Sequence, residues 1–593
     1  MSKGVCKEMK NNKRIALVLA SAIAIFGAYA PAQASNDTSW IPTDVNYSEP
    51  SVHSFAFVDR MPLPNQFSLL LGDSYPDFYV CHSSSDPECD QSRILKYNSI
   101  LKVCSTAADT DCVAEVSAFD SSGTKSSGTF SKYTVKDHFN AYPADPVAGI
   151  PEGSMPSIWS IPSAPHNSGS EYAVVAGING NTDRQGHETS SGSYIQIALV
   201  PVYLKDFGTG KASIAEGWSQ AKPGVFYDYC VTYQQTATNK NADCNHVNGE
   251  ACILPTNDQG KCYAEEPFGD VQRFNVQVRL SKEPSAWIHG RMVDPSISIT
   301  PVASGGVNLS VTAGATSVPM VYQTGKWTDL PDNVKQLWLD CTVDGRLCSE
   351  AGLFRGPNVA SNFMQLATTL EGNAQINILD YLYPFGKVPL KIMAAIAPLV
   401  GDKSNAMSST WMMRTLSGLE MKDANPCFTN TKGIKGIVST NSTAYSAGPP
   451  EFVDGYLNYK VSSPHFNPDG KTPFKGNYNL VMRSDVARCL YGFSSAPISA
   501  SISVLSSEGT SDVATTVTGE KNGWLSLSAN NFQFSEPTIQ VKLTQEAPKK
   551  EEVAPASSPS PTATKASITC VKGKITKKVT AANPVCPKGY KKK

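Results

Sequence analysis

The sequence predicts a mainly β, multidomain protein with sandwich or jelly-roll-like regions, a small helical segment and a framework of disulfides. Short apolar runs punctuated by Gly, Pro, Ser, Asn and Asp recur along most of the chain, as in Tyr172-Ala173-Val174-Val175-Ala176 and Tyr194-Ile195-Gln196-Ile197-Ala198-Leu199-Val200. Only one block repeats apolar residues convincingly at helical spacing, and 14 of the 15 cysteines lie beyond residue 34.

Residues 1–34 have the three parts of a secretory signal peptide. A basic stretch with Lys10, Lys13 and Arg14 leads into a largely apolar run of 16 residues, Ile15 to Ala30, and Ala32-Gln33-Ala34 offers small residues for cleavage before Ser35. The run is short for a bilayer span, so a cleaved leader is favoured over an uncleaved anchor. The most apolar later stretch, Val388 to Val400, contains Lys391 and is broken by Pro389 and Pro398, which reads as core. No transmembrane helix is therefore expected after processing.

Residues 35–285 form the first β-rich region, with a polar excursion at 230–262 that holds four cysteines and few large apolar residues. A mixed region, 286–480, begins at Trp287-Ile288-His289-Gly290-Arg291 and contains the helical block, 357–400. There Pro357 suits a first helical turn, Val359, Phe363, Leu366 and Leu370 share a face, Gly372 suits a C-cap, and a second short helix falls within Leu390 to Ala397. Residues 481–545 read as an antiparallel β meander. Ile498, Ala500, Ile502 and Val504 alternate with serines, Asn522-Gly523 marks a hairpin, and Ile539, Val541 and Leu543 alternate with Gln540 and Lys542. Residues 546–566 are a Pro/Ser/Ala-rich linker, and 567–593 a basic hairpin module too small to fold without a staple.

The cysteines favour local disulfides in an oxidising compartment, each stabilising by about 2–3 kcal/mol. Sequence neighbours suggest Cys81 with Cys89, Cys104 with Cys112, Cys230 with Cys244, Cys252 with Cys262, Cys341 with Cys348 and Cys570 with Cys586, which leaves Cys427 for Cys489. No Cys-x-x-Cys occurs, which disfavours a metal–thiolate site.

The net charge of −1 conceals segregation. Residues 1–34 carry +4, residues 565–593 carry +9 as lysine alone, and the body between is about −14. An acidic body disfavours nucleic acid as a partner, and a basic end favours an anionic surface. The binding candidates are Lys572, Lys574, Lys577, Lys578, Lys588, Lys591, Lys592 and Lys593.

Three segments carry a resemblance. The tail, Ile568-Thr569-Cys570-Val571-Lys572-Gly573-Lys574 through Cys586-Pro587-Lys588-Gly589-Tyr590-Lys591-Lys592-Lys593, resembles the C-terminal signature of uncharacterised exported proteins of aquatic actinobacteria. Met482 through Pro497 and Phe55 through Pro64 are similar to segments of the same group. The resemblance implies an envelope-associated protein and assigns no catalytic residue.

Chemistry is sparsely marked. There is no Gly-x-Ser-x-Gly elbow, His-Glu-x-x-His pair or phosphate-binding Gly-rich loop. His289 with Arg291 and Asp294 offers a base, an anion contact and a carboxylate, although a satisfied structural histidine is the stronger reading. His465 with Asp469 and Gly470 reads as a turn, and Arg483, Asp485 and Arg488 as ion pairs beside Cys489. Asn179-Gly180-Asn181-Thr182-Asp183, with Gly186 and Glu188, spaces oxygen donors like a calcium loop but has Ser190 where the bidentate Glu belongs. Trp218, Tyr227, Tyr229 and Tyr233 suit either sugar stacking or core. The sequence therefore predicts no catalytic, cofactor or metal set. It predicts a secreted, cell-surface or cell-wall protein with a binding or structural role, its partner an anionic wall polymer or other envelope component and, secondarily, an extracellular glycan. The alternative is a secreted enzyme acting on polysaccharide or peptide.

Overall fold

A computed structural model describes residues 52–57, 68–74, 77–90, 92–136, 141–187, 194–206, 252–254, 256–258, 261–269, 273–326, 330–333, 335–336, 378–382, 384–418, 420–495, 497–506, 509–511, 514–534, 538–545 and 565–593. The chain is mainly β and divides into two compact units, Met1–Ser495 with Ser499–Thr544, and Ala496–Ile498 with Gln545–Lys593.

The large unit is organised on two long strands, Glu171–Asp183 and Tyr194–Asp206, paired antiparallel from Tyr172 opposite Pro201 to Asn179 opposite Tyr194. Their apolar runs are nearly unbroken because both faces are covered. Val174, Ala176, Ile178, Ile195, Ile197 and Leu199 face one core, and Ala173, Val175, Ala198, Val200 and Val202 face a second with Ile253, Leu254 and Tyr263. The split follows strand parity, since directly opposed residues share a face.

From this pair one sheet extends both ways. On one side lie Ile94–Ile100, Leu69–Ser74 and Asp77–Val80. On the other lie Ala406–Thr415, Trp287–Arg291, Gly436–Thr440, Gly476–Arg483, Trp524–Phe532 and Ala514–Lys521. Every pairing on this path is antiparallel except that of Trp287–Arg291 with Gly436–Thr440. A six-stranded sheet of Val293–Pro301, Val307–Gly314, Arg273–Leu280, Cys112–Phe119, Lys102–Val103 and Lys125–Ser127 covers its inner face. Phe274, Val276, Val278, Val113, Val116, Leu309 and Val311 fill the space between, and the Trp411 indole donates across it to the Ala313 carbonyl at 3.0 Å. This is a β-sandwich.

The division into regions at 285/286 and 480/481 is not followed, because strands from all three regions hydrogen-bond in the one sheet. The expected meander is likewise divided. Ile498–Ser506 and Thr538–Gln545 join a third sheet with Tyr456–Ser462, Ala444–Tyr445, Gly509–Ser511 and Glu451–Val453, whereas Ala514–Lys521 and Trp524–Phe532 join the long sheet. The Asn522-Gly523 hairpin does form, with φ of 52° and 79° as a primed turn demands. Alternation specifies which face of a strand is buried and leaves its hydrogen-bonding neighbours open.

A helix, Lys387–Ile396, continues as a 3-10 turn, Ala397–Val400, and ends at left-handed Gly401. It buries Val388, Ile392, Met393 and Ile396 against Ala444–Tyr445 and Tyr456–Ser462. The block from Pro357 to Gly372 lies outside the described residues. A further helix, Ser484–Tyr491, interrupts the region read as meander; Asp485 favours its first turn, Arg488 its last, and Gly492 closes it at φ 65°. Disulfides join Cys81 to Cys89, Cys104 to Cys112, Cys427 to Cys489 and Cys570 to Cys586, and Cys262 is also disulfide-bonded. Cys230, Cys244, Cys341, Cys348 and the Cys252 side chain lie outside the described residues. Among the described residues no helix is long and apolar enough to cross a membrane.

Candidate functional site

The lysine-rich tail folds as a three-stranded sheet, with Ala566–Lys572 central between Ile575–Ala581 and Lys591–Lys592. A two-residue connection turns the hairpin between Lys572 and Ile575, where Gly573 takes φ 60° without a Cβ penalty. Cys570 is fully buried and bonded to Cys586, which draws the returning segment over the face to which Cys570 points. Gly589 at φ 92° runs beside the end of the Lys572 side chain.

Register assigns the remaining side chains. Lys577 and Lys592 oppose Cys570 and share its face, with Ile568, Val579, Lys572 and Ile575. The other face carries Ser567, Thr569, Val571, Thr576, Lys578, Thr580 and Lys591, and parity adds Lys593, whose backbone N–H donates to the Thr569 carbonyl at 2.9 Å. Ser567 Oγ and Thr580 Oγ1 lie 2.8 Å apart on that side, as directly opposed residues should. All eight candidate lysines are exposed, and residues 565–593 contain no carboxylate side chain to neutralise them. Such a surface attracts anions without first breaking internal ion pairs.

His289 and Arg291 lie together on Trp287–Arg291, and Asp294 lies on the next strand. His289 and Arg291 point to one side of Trp287–Arg291, where the imidazole stacks on the Tyr445 ring at 4.0 Å and the Arg291 guanidinium lies 4.4 Å from the same ring. Arg291 Nη1 donates to the carbonyls of Thr440 and Ser442 at 2.8 and 2.7 Å. Burial, then the charges of Arg291 and Arg414, hold the His289 pKa well below its ordinary value, and the residue is 2% exposed. Asp294 sits elsewhere, in Val293–Pro301, where it accepts from Ser528 Oγ at 2.9 Å.

His465 lies 2.6 Å from Asp402, while Asp469 caps its own turn. The Thr472 hydroxyl and the backbone N–H groups of Lys471 and Thr472 bring the Asp469 carboxyl down to about 2. Arg483 pairs with Asp485, and Arg488 pairs in bidentate fashion with Glu520 at 3.0 and 2.7 Å, on the same helix that carries the disulfide-bonded Cys489. Asn179 to Asp183 lie along the strand Glu171–Asp183, and Asp183 accepts from the N–H groups of Gln185 and His187 at 2.9 Å each. Glu188, Trp218, Tyr227, Tyr229 and Tyr233 lie outside the described residues. Among the described residues no group of three or more His, Cys, Asp or Glu is placed to hold a metal.

Two buried polar clusters escaped sequence reasoning. The Arg414 guanidinium grips Glu420 at 2.7 and 2.6 Å; burial works against the Glu420 carboxylate, but Arg414 together with the Ser417 N–H and hydroxyl outweighs it and keeps its pKa below the usual range. His166 Nδ1 lies 2.6 Å from Glu266 Oε2 and its Nε2 2.9 Å from the Glu171 carbonyl, while Ser168 bonds the same carboxylate. Ser, His and Glu are thus together but wired unlike a catalytic triad, since the serine bonds the carboxylate and the imidazole reaches a backbone carbonyl. His166 and Glu266 are 100 residues apart, so no local pattern reveals them.

Fold and site together define a mainly β, disulfide-stapled sandwich protein with a separate, acid-free lysine sheet at its C-terminus. No family model, curated protein or solved structure matches the chain.

Proposed function

We propose that this chain is an exported, envelope-associated protein with an extracellular binding or structural role, held on an anionic wall polymer by its C-terminal sheet. The observation that carries the reading is that sheet, with eight exposed candidate lysines and no acidic side chain within residues 565–593. The leader-like residues 1–34, the disulfides and the resemblance to exported actinobacterial proteins support the compartment.

Cell fractionation with intact-mass measurement tests the compartment. The expected product sits with the envelope, begins at Ser35 and takes up no alkylating reagent. Recovery from the cytoplasm with residues 1–34 retained and several alkylated cysteines would contradict the proposal.

A further inference from the structure

We infer that the C-terminal sheet docks through one face, the one bearing Lys578, Lys591, Lys593 and the hydroxyls of Thr569, Thr576 and Thr580, and that it engages the phosphates of a phosphate-bearing polymer. The inference rests on the proposed tether and goes further by assigning its face and ligand group.

The two faces carry the same number of exposed lysines and differ in the chain that is stapled against one of them. Lys572, Lys577 and Lys592 share the Cys570 face, over which the Cys570–Cys586 bond holds the returning chain and where the end of Lys572 runs beside Gly589. The disulfide draws no chain over the opposite face, where Ser567, Thr576, Lys578, Thr580, Lys591 and Lys593 are exposed. There Lys578 and, by register, Lys593 flank Thr569 on either side, about 10 Å apart at two strand spacings, and Lys591 lies about 7 Å along the strand from Lys593. Hydroxyls alternate with these cations, so an oxyanion held by a lysine also meets hydroxyl donors.

Composition selects the ligand group. That face has no aromatic residue, so it offers no platform for stacking on sugar rings. Residues 565–593 contain nine lysines and no arginine, whose planar fork suits paired binding to planar carboxylates; lysine is a point charge and a common phosphate ligand. A polymer with one anion per repeat engages several lysines together, each contact raising the effective concentration for the next.

Two triple variants of the full-length mature protein separate a face from bulk charge, because each removes three positive charges. Binding to immobilised long-chain inorganic polyphosphate should fall more than tenfold in K578Q/K591Q/K593Q and less than threefold in K572Q/K577Q/K592Q. Polyglutamate of matched charge should bind the unaltered protein at least tenfold more weakly than polyphosphate. Equal losses in the two variants would overturn the face assignment, and equal binding of the two polymers would overturn the phosphate assignment. Neither result touches the tether, which fails separately if the unaltered protein binds neither polymer and does not sediment with envelopes.

Discussion

Lys435 is 2% exposed, with its ammonium 2.6 Å from Ser285 Oγ and its backbone bonded on both sides, to Ala286 and Arg483. Burial, then repulsion from Arg483, pushes its pKa from 10.5 down to about 8, against a smaller pull from Glu283. Between those values the unfolded chain binds more protons than the folded one, so this residue makes stability rise as pH rises from about 8 to 10.5. Below pH 8 the full cost of burying the charge is present. Lys435→Met should therefore raise the melting temperature at pH 7 by about 2–4 °C and flatten its rise at alkaline pH. A variant that melts lower at pH 7, with an unchanged alkaline slope, would show that the Ser285 contact outweighs burial. At this scale the sequence reveals strand parity and little else. His289 and Arg291 are legible as neighbours because same-face positions on a strand are two residues apart, whereas Tyr445 and Arg414 reach His289 only through the fold.

Ile498–Ser506 shows what alternation can and cannot specify. Ile498, Ile502 and Val504 are buried and Ser499 and Ser501 exposed, in the order their sequence demands. Ile502→Asp should accordingly destabilise the protein by about 3 kcal/mol or more through an unpaired buried charge, while Ser501→Asp should change stability by less than about 0.5 kcal/mol. Denaturant unfolding of both variants checks this, and the reverse order of effects would place the strand the other way round. The same pattern was silent on partners. Thr538–Gln545 follows Trp524–Phe532 in sequence yet joins a different sheet, because its next neighbour is chosen by long-range packing of faces that look alike in one dimension. The Asn522-Gly523 hairpin was legible since two residues with φ > 0 suffice to make the turn. The Ser484–Tyr491 helix was not, because eight residues carry too few turns to establish a period.

Across the whole molecule, charge and cysteine are the informative quantities. The β class was legible from apolar runs and turn residues, but the extent of the shared sheet was not, since a strand from 286–480 carries no mark of bonding to one from 35–285. The lysine tail was legible in full as composition, while its division into a stapled face and an open face required the register set by Gly573 and the Cys570–Cys586 bond. Salt dependence is the physical signature of the proposed tethering of an acidic body to the envelope by this tail, because lysine–polyanion contacts are screened over about 8 Å at 0.15 M ionic strength. The most direct measurement compares retention on isolated envelopes of the mature protein and a variant lacking Ser567 to Lys593 as salt is raised. The full chain should be retained at low salt and released steeply beyond about 0.15 M, with the truncated protein folded and unbound throughout. Equal retention of both proteins at every salt concentration would contradict the tethering.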